Sequence, residues 1–151
     1  MTVNDEGLMA CRDRKGLMMS ERKIRILMAK LGEGYEPAVM KLSKAFSEAG
    51  FEVIYTTIQD PQAIVRAALQ ESADHIGITT LPGAQIEDFA KIFELLAEEN
   101  ASHIQLTAGG FLNDEDIPQI REMGVVEFFP LGTTYAELIE WSKRHIKHTD
   151  R

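Results

Sequence analysis

Glycine and threonine recur in four short segments of the chain, each of which follows an apolar run. The segments are 30–36, 79–84, 109–110 and 130–133. Glycine lets a ligand approach the backbone closely, and threonine offers a hydrogen-bond donor and acceptor with little bulk. Glycines also begin turns in many folds, so no single segment is diagnostic. The four together favour ligand binding, and we predict no catalytic residue among them.

Two acidic residues in the first segment are the clearest candidates for acid–base chemistry. Glu33 and Glu36 could act as a general acid and a general base. No nucleophile or electrophile stands beside them in the sequence, so we interpret them as a solvated face of the loop. We also predict no metal site, and we expect surface or edge positions for the four histidines, which are His75, His103, His145 and His148.

The composition restricts the classes of partner. The chain has 151 residues, 44% of them hydrophobic and 26% charged, which is typical of one globular domain. Its formal net charge is −8, and a negative protein repels phosphate backbones and anionic lipid headgroups. We therefore expect neither nucleic acid nor a membrane as a partner. The single cysteine, Cys11, excludes an intrachain disulfide and favours a cytoplasmic location.

Apolar periodicity divides the chain into a leader and one domain. Residues 1–22 lack such periodicity, so we predict a mobile leader there and place the domain at 23–151. Within the domain each strand pattern is followed by a helix pattern, and the short connections require parallel strands with crossovers. The prediction is an α/β fold of the flavodoxin-like type, with a doubly wound five-stranded parallel sheet of order 2-1-3-4-5 between two layers of helices. The predicted strands are 24–29, 51–56, 75–80, 103–108 and 125–129.

Ligands of such a sheet bind beyond the carboxyl ends of the strands, which is where the four glycine and threonine segments fall. Two known functions of this topology fit poorly. A phospho-receiver domain needs an aspartate at the end of the third strand, where this chain has Thr79 and Thr80. A flavodoxin needs a hydroxyl-rich first loop to hold a phosphate, whereas this loop carries Glu33 and Glu36.

Several short motifs mark the same strand ends. They are Ala-Lys-Leu-Gly at 29–32, Gly-Ile-Thr-Thr-Leu at 77–81, Ala-Gly-Gly at 108–110 and Phe-Pro-Leu-Gly-Thr at 129–133. Together they resemble the cobalamin-binding domain of methylmalonyl-CoA mutase and related adenosylcobalamin-dependent isomerases, over about residues 23–146. The resemblance implies cobalamin or another corrinoid as cofactor, with its lower nucleotide tail in a slot between the sheet and the helices.

The resemblance also implies which residues line that slot. A flat aromatic base suits a narrow apolar slot, and glycines remove the side chains that would fill it. The implied cofactor-binding residues are Gly32, Gly34, Tyr35, Thr79, Leu81, Gly109, Gly110, Gly132 and Thr133.

The first loop departs from the family pattern, in which an Asp-x-His-x-x-Gly motif supplies a histidine that ligates cobalt from below. Here the loop reads Glu-Gly-Tyr-Glu-Pro-Ala at 33–38 and is one residue shorter. Tyr35 stands in place of the histidine, and Ala38 stands in place of the final glycine. A phenol has an unperturbed pKa of about 10 and is a poor ligand near neutral pH.

Three interpretations of this departure stay open. The corrinoid is bound with its own base, water or Tyr35 below the cobalt; or the domain has lost the cofactor and serves as a regulatory or assembly module; or another ligand has taken the pocket. We prefer the first. The chain is too short to include the substrate-binding barrel of the mutases, so an enzymatic role would need a catalytic barrel subunit as partner. A homo-oligomer is also left open.

Overall fold

Strands and helices alternate along the part of the chain that the computed structural model describes, residues 22–34 and 36–149. The strands are β1 (Arg25–Leu31), β2 (Glu52–Tyr55), β3 (His75–Thr80), β4 (Gln105–Gly110) and β5 (Glu127–Pro130). The helices are α1 (Glu36–Glu48), α2 (Pro61–Gln70), α3 (Ile86–Glu98), α4 (Ile117–Met123) and α5 (Tyr135–His145). Among these residues, no helix has the length and apolar character needed to cross a membrane. The leader predicted at 1–22 lies outside the described residues except for Arg22, and it stays a prediction.

The strands form one parallel sheet of order β2-β1-β3-β4-β5. This order confirms the predicted flavodoxin-like, doubly wound fold. Helices α1 and α5 cover one face, and α2, α3 and α4 cover the other. The strand order reverses between β1 and β3, so their carboxyl ends form the switch point at which ligands of such sheets bind.

One strand differs from its predicted bounds in a way that affects the site. Strand β4 was predicted at 103–108 and instead extends from Gln105 to Gly110. Its two glycines are therefore the last residues of the strand rather than a loop. The pairing continues because Gly109 and Gly110 lie in register with Thr79 and Thr80 of β3, and these ladder contacts outweigh the low strand propensity of glycine.

The two faces of the sheet are filled to different extents. The face under α2, α3 and α4 carries the larger cluster of buried apolar side chains, to which the central strands contribute Leu27, Ala29, Ile76, Ile78 and Leu106. The face under α1 and α5 carries a smaller cluster of Ile26, Met28, Phe46, Phe51 and Ile146. Parallel strands that are buried on both faces are normally apolar on both, so the second face lacks part of the usual packing.

A buried carboxylate connects the two ends of the described chain at the amino edge of the sheet. Asp74, just before β3, accepts two hydrogen bonds of 2.8 Å from the Arg22 guanidinium and one of 2.8 Å from the Arg25 backbone N–H. It also accepts from the backbone N–H and the hydroxyl of Thr149, at 2.8 and 2.9 Å. Burial by itself raises the pKa of Asp74, but these hydrogen bonds outweigh burial and hold the pKa well below its ordinary value.

The substitution Asp74→Asn should lower the free energy of unfolding by about 2–4 kcal/mol, because it removes the charge that Arg22 faces and turns an amide donor toward other donors. Urea unfolding at pH 7, followed by circular dichroism, measures this loss. Asp114→Asn, at an exposed position, is the matched control and should change little. Because the pKa of Asp74 is depressed in the folded state, its contribution is full above about pH 4 and declines as the pH falls further. A variant as stable as the wild type would contradict this role.

Candidate functional site

A cavity of about 200 Å³ lies between the less filled face of the sheet and helices α1 and α5. Strands β1, β3, β4 and β5 form its floor. Side chains such as Leu42 and Phe46 of α1 and Leu138 of α5 form its roof. The lining extends from His75, at the amino edge of the sheet, to the loop after β5 at the carboxyl edge.

Small residues on the two central strands make this cavity. Alternate residues of a strand point to the same face of the sheet, and on β3 the residues toward α1 and α5 are His75, Gly77 and Thr79. Their neighbours on β4 include Thr107 and Gly109, which lie in register with Gly77 and Thr79 respectively. All five line the cavity. On β3 and β4 the floor therefore lacks the large aliphatic side chains that fill the opposite face.

Gly77 is the position at which a side chain would enter the cavity. A Cβ atom there would lie 3.5 Å from Met28 Sδ, 3.8 Å from Thr107 Oγ1 and 3.9 Å from Ile26 Cγ2. These are ordinary van der Waals distances, and Gly77 is not among the glycines with positive φ. The backbone would thus accept another residue at this position, and the glycine serves to leave the space open.

The carboxyl edge forms the mouth of the cavity. Gly110 has a φ of 123°, and a Cβ atom there would collide with the backbone oxygen of Thr80, so the two strands approach each other as only glycine allows. Three large apolar side chains around this edge are exposed: Phe111 by 50%, Leu131 by 69% and Tyr135 by 42%. The mouth is therefore open and has an apolar rim.

The loop after β5 completes the mouth and is fixed by its own hydrogen bonds. The Thr133 hydroxyl donates to the Pro130 carbonyl oxygen at 2.7 Å. Thr134 caps α5 by accepting from the Glu137 backbone N–H at 3.1 Å, and its own N–H donates to the Glu137 carboxylate at 2.9 Å. This reciprocal cap fixes where α5 begins, and with it the position of the adjacent Gly132.

The opposite end of the cavity is polar. His75 is only 2% exposed, and its Nε2 lies 3.0 Å from Thr107 Oγ1. The buried Ser142 hydroxyl donates to the Leu138 carbonyl oxygen at 2.8 Å. Burial lowers the pKa of His75 to about 3, although the adjacent Asp74 carboxylate acts to raise it. The imidazole is therefore neutral at physiological pH.

The expectation of a surface or edge position for His75 is wrong with respect to its burial. His75 does begin a strand at the amino edge of the sheet. Its side chain is nevertheless covered, because Ser142 and Ile146 at the end of α5 close this part of the cavity. These residues are distant in sequence, so no local pattern around His75 announces the burial.

All four histidines of the chain lie in the described part, at or near the amino edge of the sheet. His75 begins β3 and His103 shortly precedes β4, whereas His145 ends α5 and His148 follows it. The ring of His145 stacks on Trp141, and that of His148 lies 2.6 Å from the Arg22 carbonyl oxygen. Across residues 22–34 and 36–149, therefore, no histidine lies at the mouth, and no cluster of three or more His, Cys, Asp or Glu could hold a metal ion.

The nine predicted cofactor-binding residues fall into three groups. Those that line the cavity are Thr79, Gly109, Gly110, Gly132 and Thr133. Tyr35 lies outside the described residues. The remaining three, Gly32, Gly34 and Leu81, lie in the loops that follow β1 and β3.

These two loops rest on each other. The Leu81 N–H donates to the Leu31 carbonyl oxygen at 2.8 Å. A Cβ atom on Gly32 would collide with the Leu81 carbonyl group, and the Gly32 N–H donates to Gln59 Oε1 at 3.0 Å. The close approach of the loops therefore accounts for the glycine at position 32.

The cavity residues that were not predicted include three on the central strands, His75, Gly77 and Thr107. A signal for them exists in the sequence, since each stands at an alternate position of a central strand that is otherwise apolar. A strand buried on both faces should be apolar throughout, so small or polar residues at every second position indicate a face without full packing.

Comparison with known proteins identifies the family. The model of the B12 binding domain matches residues 24–139, which is well over half of the chain. This chain belongs to the B12-binding domain family. The resemblance that the strand-end motifs indicated is thereby confirmed.

Relatives of this B12-binding domain differ greatly in length. The chain is 40% identical over 124 residues to the 2-hydroxyisobutanoyl-CoA mutase small subunit of Aquincola tertiaricarbonis, covering 81% of this chain and 91% of that protein. It is 29% identical over 114 residues to the methylmalonyl-CoA mutase large subunit of Streptomyces virginiae, covering 74% of this chain but only 16% of that protein. The chain thus spans nearly all of the first relative and a small part of the second.

Solved structures agree on the fold of this B12-binding domain. A cobalamin-binding protein from Desulfitobacterium hafniense DCB-2 superposes with a TM-score of 0.68 at 17% identity, over 82% of this chain and 59% of that one. A response regulator from Thermotoga maritima gives 0.64 at 15% identity, over 83% and 98% of the two chains. At these identities the likeness shows the shared flavodoxin-like fold alone.

The buried His75 should make the B12-binding domain less stable in mild acid. Its pKa of about 3 in the folded protein lies below the ordinary value of 6.5, so between these values the unfolded chain binds a proton more readily. The free energy of unfolding should therefore fall from pH 7 to pH 5, with His75 contributing about 2 kcal/mol of the loss. Urea unfolding at both pH values measures this change. The free energy of unfolding of His75→Phe should fall less between pH 7 and pH 5 than that of the wild type, and His103→Phe should behave as the wild type. An identical pH dependence in the wild type and His75→Phe would refute the assignment.

Proposed function

We propose that this protein binds a corrinoid with the lower nucleotide tail in the cavity under α1 and α5, and presents the cofactor at the carboxyl edge of the sheet. The observation that carries the proposal is the open floor of β3 and β4. Thr79 lies four residue steps along the strand from His75, which is about 13 Å at the rise of a parallel strand. The cavity is thus deep enough for a nucleotide that enters end-on.

The volume and the walls of the cavity suit a flat bicyclic base. An apolar cavity of ~150 Å³ holds benzene, and this one measures about 200 Å³. Met28, Phe46 and Phe129 supply apolar walls for the faces of the base. Nearer the mouth, the half-buried Gly110 and the exposed Gly132 would accommodate the ribose and the phosphate.

We also propose that the cobalt receives no histidine from this chain on its lower side. With every histidine of the chain at or near the amino edge, none would reach a cobalt held at the mouth, and the family resemblance would leave water or Tyr35 as its lower ligand. A nucleotide base held in the cavity is equally unable to reach the metal. Adenosylcobalamin, when bound, supplies a weak cobalt–carbon bond for radical chemistry. The residues of this chain bind and orient the cofactor and transfer no proton.

The apolar rim favours the proposal that a partner subunit covers the mouth of the cavity. Phe111, Leu131 and Tyr135 surround the position at which the corrin ring would lie, and large exposed apolar groups mark binding surfaces. One relative is named as the small subunit of a CoA mutase. By this likeness, the protein serves as the cofactor-binding subunit of a cytoplasmic mutase whose catalytic barrel is a separate chain.

Co-elution with a corrinoid tests the proposal directly. The protein is mixed with excess hydroxocobalamin and passed through a gel-filtration column, and absorbance in the visible range is measured in the protein peak. We expect near-stoichiometric colour to travel with the protein. Colourless protein would refute corrinoid binding and favour the alternative, a regulatory or assembly module that has kept the fold and lost the cofactor.

Filling the cavity from its floor should abolish binding without harming the fold. Gly77→Val places a branched side chain between Met28 and Thr107, in space that the fold does not need and in a strand that favours valine. We expect a melting temperature no lower than that of the wild type and a loss of cobalamin binding of at least about tenfold. Ala90→Val, exposed on a helix of the opposite face, is the control. A folded Gly77→Val variant that binds as the wild type does would contradict the location of the tail.

The identity of the lower ligand can be tested by electron paramagnetic resonance of the reduced, cobalt(II) form of the bound cofactor. A nitrogen ligand splits the cobalt lines, whereas an oxygen ligand does not. The wild-type complex should lack this splitting, and Tyr35→His should introduce it by restoring an imidazole. Tyr35→Phe is the control and should leave the spectrum without splitting. Nitrogen splitting in the wild-type complex would mean that the base of the cofactor, or a histidine, stays on the metal.

A further inference from the structure

The closed end of the cavity carries hydrogen-bonding groups. We propose that this end selects a corrinoid whose lower base is a purine, such as adenine, over one whose lower base is 5,6-dimethylbenzimidazole. The inference rests on the proposed function, because it requires the nucleotide tail to occupy the cavity. It goes beyond the proposed function by naming the residues that determine which corrinoid the protein prefers.

Two polar atoms at this end have hydrogen-bonding capacity to spare. His75 uses Nε2 in its contact with Thr107 Oγ1, and within the described part of the chain its other ring nitrogen, Nδ1, has no hydrogen-bond partner. Ser142 donates its hydroxyl hydrogen to the Leu138 carbonyl oxygen, which leaves its oxygen lone pairs as acceptors. Both side chains are at least 96% buried, with relative exposures of 2% and 4%.

The surrounding walls are apolar, so a ligand that fills this end of the cavity and excludes water must itself supply partners for these atoms. Ile26 and Ile146 flank the same end of the cavity and offer no polar group. A buried hydrogen-bonding atom that stays unpaired weakens the complex that leaves it so. A ligand that brings a complementary group to His75 and Ser142 is favoured over one of the same shape that brings methyl groups.

The chemistry of the lower bases matches this distinction. The tail enters from the mouth with the base leading. The ribose is attached to the five-membered ring of the base, so the six-membered ring lies deepest. In adenine the far edge of this ring carries N1, which is an acceptor, and the neighbouring carbon carries the exocyclic amine, which is a donor. The amine can donate to the Ser142 oxygen, and N1 can accept from His75 Nδ1 when that nitrogen carries the hydrogen of the neutral ring. In 5,6-dimethylbenzimidazole the same edge carries two methyl groups, which offer no partner to His75 Nδ1 and none to the lone pairs of the Ser142 oxygen.

Binding of two corrinoids that differ only in the lower base tests the proposal. The protein has a single tryptophan, Trp141, whose ring packs edge-on against Phe129 with centroids 5.4 Å apart, and Phe129 lines the cavity. Quenching of Trp141 fluorescence therefore reports occupation. The hydroxo forms of the adenine-containing corrinoid and of cobalamin are titrated in parallel. We expect the adenine form to bind at least about tenfold more tightly, which is the ratio that one unpaired buried group produces.

Variants of the residues at the closed end test which of them cause the preference for the adenine-containing corrinoid. His75→Phe keeps an aromatic ring and removes both nitrogens, so the ratio of the two Kd values should fall to about one or invert. Thr107→Val removes the hydroxyl that orients the imidazole and should reduce the ratio, and it keeps the assignment testable should His75→Phe fail to fold. His103→Phe, an exposed histidine outside the cavity, should keep the wild-type ratio.

The outcomes separate this inference from the proposed function. Equal binding of both corrinoids by the wild type, or tighter binding of cobalamin, overturns the selection of a purine and leaves corrinoid binding intact. An unchanged ratio in a folded His75→Phe variant overturns the role of His75. Failure of the wild type to bind either corrinoid overturns the proposed function and this inference with it.

Discussion

Two neighbouring parallel strands at the centre of this sheet bury large apolar side chains on one face and small or polar residues on the other. On the apolar face, Ile76, Ile78 and Leu106 pack against α2, α3 and α4. Toward α1 and α5 the same strands present Gly77, Thr79 and Gly109, and a cavity remains. This imbalance of side-chain volume determines where a ligand can enter, how deep it can go and which helices enclose it.

Packing of this kind is unfavourable without compensation, because cavity walls lose dispersion contacts. The fold has two sources of compensation that do not depend on a ligand. One is the large core on the opposite face. The other is the hydrogen-bonded Asp74 carboxylate, which fastens residues 22 and 149 to the start of β3. A bound tail would add stability by mass action, since it fits the folded state alone.

The fold was predictable from the sequence because its signals are local. Alternation of apolar runs with helical periodicity, joined by short connections, was enough for the strand order. The cavity was only partly predictable. Thr79, Gly109 and Gly132 were found because they lie at or just beyond the carboxyl ends of strands, and that rule depends on topology alone. The rule also selected Gly32, which the structure explains by the close approach of two loops.

What the sequence did not reveal depends on contacts between distant parts of the chain. The burial of His75 requires Ser142 and Ile146 to cover the amino edge of the sheet, and nothing around residue 75 encodes that. The extension of β4 through its glycines depends likewise on pairing with β3. Small or polar residues at alternate positions of 75–79 and 105–109 were the available signal of an unfilled face.

The central claim is that the unfilled face of β3 and β4 receives the base of a corrinoid. A crystal structure of the protein grown with hydroxocobalamin tests it most directly, through the position of the base relative to Gly77. The account predicts electron density for the base against the Gly77 backbone, beneath α1 and α5, with the corrin ring at the carboxyl edge. Density that shows the base on the cobalt and the floor of the cavity untouched would contradict the account.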